Sequence, residues 1–165
     1  MSKVQLVPYG LQHYEKTVEW LNISSIQENF GVVNKISLDS HTNWVKSLSN
    51  AIIKAIYVDN CYIGNILLHT NQKHHSGFFQ IYIGEAQERG KGYAKQALQY
   101  ALTEFFERLD INRIWLKVFE ENKTAIHIYK SIGFKQEGVE RESFYYQGNY
   151  KNQLVFSILK EEWVK

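Results

Sequence analysis

The stretch "ERGKGYAKQ", Glu88 to Gln96, decides how the rest of the chain is read. Two glycines, Gly90 and Gly92, stand one residue apart among three cationic side chains, Arg89, Lys91 and Lys95. Just before it, "GFFQIYIG" (77–84) has the aromatic and β-branched character of a strand. Just after it, Ala94, Ala97, Leu98, Ala101, Leu102, Phe105, Phe106 and Leu109 recur at helical spacing, with Lys95, Gln96, Gln99, Thr103, Glu104 and Arg108 on the other face. A glycine turn between a strand and a helix bends tightly and points unpaired helix amides at an anion. Taken alone, the same residues also suit a plain turn with solvated lysines. Two phosphate loops are excluded by spacing. The dinucleotide fingerprint G-x-G-x-x-G requires a third glycine where Lys95 stands, and the mononucleotide loop G-x-x-x-x-G-K-[ST] is absent. Neither an NAD enzyme nor an ATPase is supported.

Outward from this turn, "RIWLKVF" (113–119) reads as a buried strand, so strand, long helix and strand form a right-handed parallel crossover. Upstream, "AIIKAIYV" (51–58) and "CYIGNILLH" (61–69) joined by Asp59 and Asn60 extend the strand at 77–84 into an antiparallel meander. A short strand near "KVQLVP" opens the chain. It is followed by a helix over Leu11–Leu21, with Leu11, Tyr14, Val18 and Leu21 on one face. A second helix is expected over Leu38–Leu48, with Asp39 or Ser40 as N-cap, and "NISSIQENFGVVNKIS" between them reads as irregular structure and short helix. A short helix around Thr124–Ile132 and two late strands, "GFKQEGV" to "FYY" and "KNQLVFSIL", complete the reading. The class is α+β: a central mixed, mostly antiparallel sheet flanked by helices.

At 165 residues, 44% apolar and 15% aromatic, the chain is large enough for a core without disulfides or metals. With one proline, Pro8, and no repeat or low-complexity tract, a single domain over residues 1–165 is expected. Nineteen Lys and Arg against seventeen Asp and Glu leave +2, too little to argue for a nucleic-acid partner. The lone Cys61 allows no intramolecular disulfide and no thiolate zinc site, so no metal is expected and a reducing, cytoplasmic setting fits. Runs such as "AIYV" and "LVFSIL" fall far short of the roughly 20 residues of a membrane span, and "MSKVQLVPYG" lacks a signal-peptide core. No membrane partner is expected.

Read as R-x-x-G-x-A, the opening turn supplies Arg89, Gly92 and Ala94. Some thirty residues on stands N-x-x-A-x-x-x-Y-x-x-x-G-F, made of Asn122, Ala125, Tyr129, Gly133 and Phe134. With both motifs in this order and between these elements, over roughly residues 50 to 160, the chain resembles the GNAT superfamily of N-acetyltransferases. The resemblance implies a GNAT fold, acetyl-CoA as co-substrate and direct acetyl transfer to a primary amine, and it is compatible with a homodimer. It implies a pyrophosphate cradle at Arg89, Gly90, Lys91, Gly92, Tyr93 and Ala94, and a pantetheine-pairing strand at Ile81, Tyr82 and Ile83 that offers an amide to the thioester oxygen. Asn122 resembles the residue that bonds the cofactor arm, and it is equally suited to cap the helix that follows. Tyr129 resembles the general acid that protonates the leaving thiolate; its alternative is a place on the apolar face with Ala125, Ile126 and Ile132.

Many relatives carry Glu two residues before the position of Gln80, where this chain has Phe78. Glu28, His41, His74, His75 and Glu85 are the remaining candidates for the base that deprotonates the amine, beside bulk water acting on an already neutral amine. Cys61 lies outside both motifs, so no acetyl-cysteine intermediate is expected. A non-catalytic acyl-CoA-binding module on the same scaffold is the competing class, and Phe78 is its best support. For the acceptor, "EWLN" (19–22) and "ISLDSHTNW" (36–44) are similar to patterns of acetyltransferases acting on nucleotide-linked amino sugars. "EGVERESFYYQGNY" (137–150) is shared with the acetylases of ribosomal-protein N-termini and of spermidine. The resemblance ranks a small-molecule amine on a nucleotide sugar first, a peptide N-terminus second and a polyamine third. Trp20, Trp44, Tyr145, Tyr146 and Tyr150 could stack on a base or sugar, Arg141 and Lys151 could meet a diphosphate, and Glu28, Glu137, Glu140 and Glu142 could line a polycation pocket.

Overall fold

Apolar side chains alternate along the central strands, and the sheet they build divides the molecule into two unequal faces. The computed structural model describes residues 2–30 and 34–163. Its strands are β1 (Val4–Pro8), β2 (Ala51–Val58), β3 (Cys61–Asn71), β4 (Ser76–Ile83), β5 (Arg113–Phe119), β6 (Lys135–Tyr146) and β7 (Asn149–Leu159). They form one seven-stranded sheet in the order β1-β2-β3-β4-β5-β7-β6. Every neighbouring pair is antiparallel except β4 and β5, which are parallel, as the strand–helix–strand reading requires. Asp59 and Asn60 both take positive φ, 49° and 66°, and make the expected tight turn between β2 and β3.

The first face belongs to α4 (Tyr93–Arg108). Ala97, Leu98, Ala101, Leu102, Phe105 and Phe106 are each no more than 2% exposed and pack on Ile66, Leu68, Phe79, Ile114, Leu116 and Phe156 of the sheet. Each large side chain so buried stabilises the fold by about 1.5–3 kcal/mol. Beside α4 lie α5 (Lys123–Ile132), capped by Asn122, and α6 (Lys160–Trp163). The second face is covered by α1 (Tyr14–Leu21), α2 (Ser24–Phe30) and α3 (Leu38–Ser47). No helix among the described residues is long and apolar enough to cross a membrane.

Two local expectations are corrected here. The segment Leu11–His13 is a 3-10 turn rather than the first turn of α1, which moves the buried stripe to His13, Thr17, Trp20 and Leu21 and leaves Leu11 76% exposed. His13 tolerates burial because Nδ1 accepts from the Gly10 amide at 3.0 Å and Nε2 lies 2.9 Å from the Tyr57 hydroxyl. The cap of α3 is Ser37, not Asp39 or Ser40. Its hydroxyl accepts from the Ser40 amide at 3.0 Å, and Ser40 Oγ accepts in return from the Ser37 amide. Asp39 instead sits inside the first turn, where the positive end of the helix favours it. Within the segment 22–37, α2 supplies the short helix, and residues 31–33 lie outside the described residues.

A bulge in β3 positions the end of β4. Ile56 pairs with Gly64 but Tyr57 with Tyr62, so Ile63 is an extra residue, and its carbonyl accepts from the amides of Gly84 at 2.7 Å and Glu85 at 3.2 Å. Gly84 in turn lies flat against Trp20, so closely that a Cβ there would stand 2.0 Å from the indole Cδ2. Trp20 is 1% exposed and has no room to retreat. Gly84→Ala should therefore lower stability by about 1–3 kcal/mol, as overpacking does. A urea midpoint unchanged from wild type at constant m would show that the indole can move.

Candidate active site

β4 and β5 pair over three residues only, Ser76 to Phe78 against Arg113 to Trp115. The rings of Phe78 and Trp115, 4.6 Å apart, close the paired segment, and beyond them the strands diverge. The gap becomes a cleft of about 460 Å³, lined by Phe78–Ile83 on one side and Lys117, Val118 and Phe119 on the other. Ser25 and Ile26 of α2, the first turn of α4, Asn122, Ala125, Ile128 and Tyr129 of the α5 region, and Phe144 and Gln153 complete its walls.

The glycine turn lies at the mouth of this cleft. Gly90 and Gly92 take φ of +76° and +83°, the left-handed region that side chains resist. Gly92 is the N-cap of α4, and the first backbone bond of the helix runs from Gln96 N to Gly92 O at 3.2 Å. Helix geometry therefore leaves the amides of Tyr93, Ala94 and Lys95 without an intrahelical acceptor. The cationic side chains behave differently from a simple anion clamp. Arg89 donates Nε to the Ile83 carbonyl at 3.0 Å and Nη2 to that of Gly84 at 3.4 Å, tying the turn to the end of β4. Lys91 is ion-paired with Glu88 at 3.2 Å and does not line the cleft. Ile81, Tyr82, Ile83, Arg89, Gly90, Gly92, Tyr93, Ala94, Asn122 and Tyr129 all do.

Asn122 fulfils its capping reading, with Oδ1 accepting from Ala125 N at 3.2 Å, which leaves its amide NH₂ for the cleft. Tyr129 is packed by Phe134 and Phe156 at centroid distances of 5.7 and 6.3 Å, and burial pushes its phenol up to about 12. Its hydroxyl has no partner among the described residues, yet no buried side-chain oxygen there lacks one, so it opens into the cleft.

A second cavity of about 270 Å³ lies between the sheet and α1 and α3, and Gln80 and Tyr82 of β4 line both spaces. Its walls include Tyr9, Thr17, His41, Trp44 and Asn65, and among the described residues they contain no carboxylate. A closed hydrogen-bond circuit runs beneath it. Tyr9 donates to Thr17 Oγ1 at 2.8 Å, Thr17 lies 3.1 Å from the Tyr62 hydroxyl, and Tyr62 donates to Asn65 Oδ1 at 2.6 Å. Asn65 Nδ2 returns to Thr17 at 3.0 Å and reaches the Tyr82 hydroxyl at 2.8 Å. Burial raises the phenols of Tyr9, Tyr62 and Tyr82 and lowers the imidazoles of His13 and His41. Sequence reading overlooked this circuit, although Asn65 inside the apolar run "CYIGNILLH" was its visible sign.

The other candidates disperse. Glu85 is bound by Lys16 at 2.9 Å and by Trp20 Nε1 at 3.2 Å, and the lysine holds its carboxyl below the usual range. Glu28 pairs with Lys151, which also meets Glu121 at 2.6 Å, so Lys151 is not free for a diphosphate. His74 and His75 lie at the start of β4, the end away from the cleft, and His75 pairs with Asp110. Glu137 and Glu140 pair with Arg113 and Lys117. Trp20 is buried in the fold and Tyr145 and Tyr150 are exposed on the β6–β7 hairpin, so these aromatics do not line either cavity; Trp44 does, and Phe144 takes the place expected of its neighbours.

The sequence profile of the acetyltransferase (GNAT) family matches residues 17–134. The chain belongs to this family. Among GNAT proteins, a spermidine N(1)-acetyltransferase of Vibrio cholerae is 35% identical over 98 residues, 59% of this chain and 56% of that protein. Its namesake in Escherichia coli is 34% identical, over 59% of this chain and 52% of its own length. The chain thus spans about half the length of these curated relatives. A putative ribosomal N-acetyltransferase of Bacillus subtilis is 27% identical over 93% of this chain and 83% of its own. The crystal structure of spermidine N-acetyltransferase from Vibrio cholerae in complex with CoA and spermine has a TM-score of 0.92 at 25% identity, covering 98% of both chains. The fold is that of the GNAT family. The expected likeness to amino-sugar acetyltransferases gives way here, since these relatives bear spermidine and ribosomal names.

The two buried imidazoles make stability depend on pH in a definite sense. Their folded values lie below the ordinary 6.5, so the unfolded chain takes up protons first as pH falls through that value. The urea midpoint should fall between pH 7 and about 5. The double variant His13→Gln, His41→Gln should be less stable at pH 7 but lose less on acidification; an identical slope would mean that carboxylates govern this range.

Proposed function

We propose that this GNAT protein transfers the acetyl group of acetyl-CoA directly to a primary amine, and that the amine belongs to a polyamine. The observation that carries the transfer is the divergence of β4 from β5, which opens beside the exposed amides of α4 and the unpartnered Tyr129 hydroxyl. The amides of Gly90, Gly92, Tyr93 and Ala94 suit a pyrophosphate, with Arg89 holding the turn in shape rather than gripping the anion. Beyond the pairing with β5, the edge of β4 at Ile81 and Ile83 offers main-chain partners to an extended pantetheine arm and a donor to the thioester oxygen. The NH₂ group of Asn122 bonds the arm from the other wall. As the amine attacks and the carbon–sulfur bond breaks, Tyr129 gives its proton to the thiolate; a phenol held near 12 stays protonated and ready at neutral pH.

The polyamine reading is supported by the names of the relatives above. A nucleotide-linked amino sugar remains the second reading, favoured by one observation: the acceptor-side cavity is lined by Tyr9, His41, Trp44 and Tyr82, with no carboxylate among the described residues. A peptide N-terminus is the third.

Thiol release from acetyl-CoA, measured with spermidine, spermine, a nucleotide-linked amino sugar and a peptide with a free N-terminus, ranks these acceptors. Spermidine is expected to be fastest. A faster amino sugar would install the second reading, and no release with any amine would favour a non-catalytic acyl-CoA-binding module. Tyr129→Phe should lower kcat by about a hundredfold while changing acetyl-CoA affinity by less than about twofold. Full turnover in that variant would remove Tyr129 from the mechanism.

A further inference from the structure

The acceptor amine arrives as an ammonium and has no lone pair until it loses a proton. Phe78, where many relatives carry a carboxylate, is packed between His69 and Trp115 at centroid distances of 6.1 and 4.6 Å and offers no base. Of the described residues lining the two cavities only Glu88 is a carboxylate, and it is paired with Lys91 at the glycine turn. Among them one basic side chain, His41, lines the acceptor-side cavity.

We propose that His41 is the general base of the acetyl transfer, taking the acceptor's proton on Nδ1; this rests on the transfer reading above. The hydrogen-bond circuit fixes which nitrogen is available. Tyr9 gives its only proton to Thr17 Oγ1, so the Tyr9 oxygen accepts from His41 Nε2–H across 2.7 Å, and the neutral ring carries its lone pair on Nδ1. Nδ1 has no partner among the described residues. Every buried side-chain nitrogen there has one, so Nδ1 reaches the cavity although His41 as a whole is only 4% exposed. The groups facing the ring from other elements are Tyr9 and Tyr14, and Tyr82 and Gln80 lie across the cavity. On its own helix Trp44 stacks on it at 5.6 Å, while Asp39 and Lys46 are exposed. No fixed charge therefore locks the ring in either state, and burial keeps it neutral before the amine arrives.

The step balances. One ammonium proton passes to Nδ1, and the freed lone pair forms the carbon–nitrogen bond to the thioester carbonyl carbon. The carbon–sulfur bond breaks, the thiolate takes the Tyr129 proton, and the nitrogen gives its second proton through solvent to the Tyr129 phenolate as the amide forms. His41 then passes its proton to solvent. Gln80 and Tyr82 line both cavities, which places the cavity of His41 directly beside the cleft.

The test compares His41→Gln with wild type on two acceptors of equal size, a primary alkylamine and an alkoxyamine that is already neutral at assay pH. At pH 7 the variant should lose about a hundredfold in kcat/KM with the alkylamine and less than about threefold with the alkoxyamine. Alkylamine activity should recover as the pH approaches the ammonium's own pKa. Equal losses on both amines, or no loss on either, overturn the assignment. Wild-type protein that releases no thiol with either amine overturns the transfer reading instead. Tyr9→Phe keeps the imidazole but removes the acceptor of its Nε2–H; it should shift the acidic limb of the alkylamine pH profile without abolishing turnover, and an unmoved limb counts against His41. Independently of turnover, imidazole nitrogen NMR of the free protein should show His41 protonated on Nε2 and bare on Nδ1, and the opposite tautomer overturns it.

Discussion

The short parallel contact between β4 and β5 is the constraint on which the rest depends. β4 is held on its other side by β3 over eight residue pairs, and β5 by β7 over seven. With both outer neighbours in place, neither strand can swing across to extend the three pairs they share. The main chain of β4 beyond Phe78 therefore faces a gap instead of a neighbour, and backbone groups withdrawn from water require partners. An extended ligand arm can supply them as a missing strand would. The Phe78 and Trp115 rings, packed at a tilt of 42°, mark where pairing ends, which accounts for an aromatic residue at this position.

The two faces of the sheet perform different work. The α4 face is an apolar interior whose tight packing fixes the start of the helix, and with it the glycine turn, against the end of β4. The opposite face carries a smaller apolar cluster around Trp20, Leu21 and Ile26 and, beside it, the Tyr9–Thr17–Tyr62–Asn65–Tyr82 circuit. A satisfied polar network in a low-dielectric interior is stiff, because displacing any member leaves a buried group unpaired. It joins α1 to β3 and β4, so the cavity wall is set by hydrogen-bond geometry more than by shape. The bulge at Ile63 and the bare backbone of Gly84 let the indole of Trp20 come down on the end of β4, where Glu85 and Lys16 pin its rim.

The parts of this design legible in the sequence are those encoded locally. Residues 88–94 and 122–134 are two contiguous motifs, the first at a helix start capped by Gly92 and the second spanning a helix from its Asn122 cap to Gly133 at its end, and the structure brings residues of both to one cleft. The meander, the crossover helix and the late hairpin follow from alternation, helical spacing and turn residues. What escaped was non-local or depended on phase. The 3-10 turn at Leu11–His13 shifts the helical stripe so that His13 and Thr17, polar residues with buried partners, lie inward while Leu11 faces solvent. The acceptor-side circuit draws on β1–α1, α1, β3 and β4, with partners up to 48 residues apart, and no spacing rule announces it. The cradle role expected of Lys91 and the diphosphate expected at Lys151 meet a limit of the same kind, since a sequence does not display the carboxylates that pair with them.

Charge on the acceptor side bears on the choice between a polyamine and a nucleotide-linked amino sugar. The carboxylate on the cleft wall, Glu88, is occupied by Lys91, and of those outside it Glu28 and Glu121 are occupied by Lys151 and Glu85 by Lys16. An occupied carboxylate is not a lost one. Partly exposed ion pairs contribute about 0–1 kcal/mol, so replacing a lysine ammonium by a ligand ammonium is close to neutral. Lys151 moreover lies over the Phe119 ring at 5.3 Å, a setting in which one cation can stand for another. The carboxylate-free cavity beside His41 is the stricter term, since a second ammonium driven there would lose its hydration without a counter-charge. A polyamine therefore fits this site with its remote ammonium toward carboxylates such as Glu28 and Glu121 while the reacting end alone enters beside β4; a nucleotide-linked amino sugar brings no second ammonium, but its diphosphate must find a cation other than the paired Lys151.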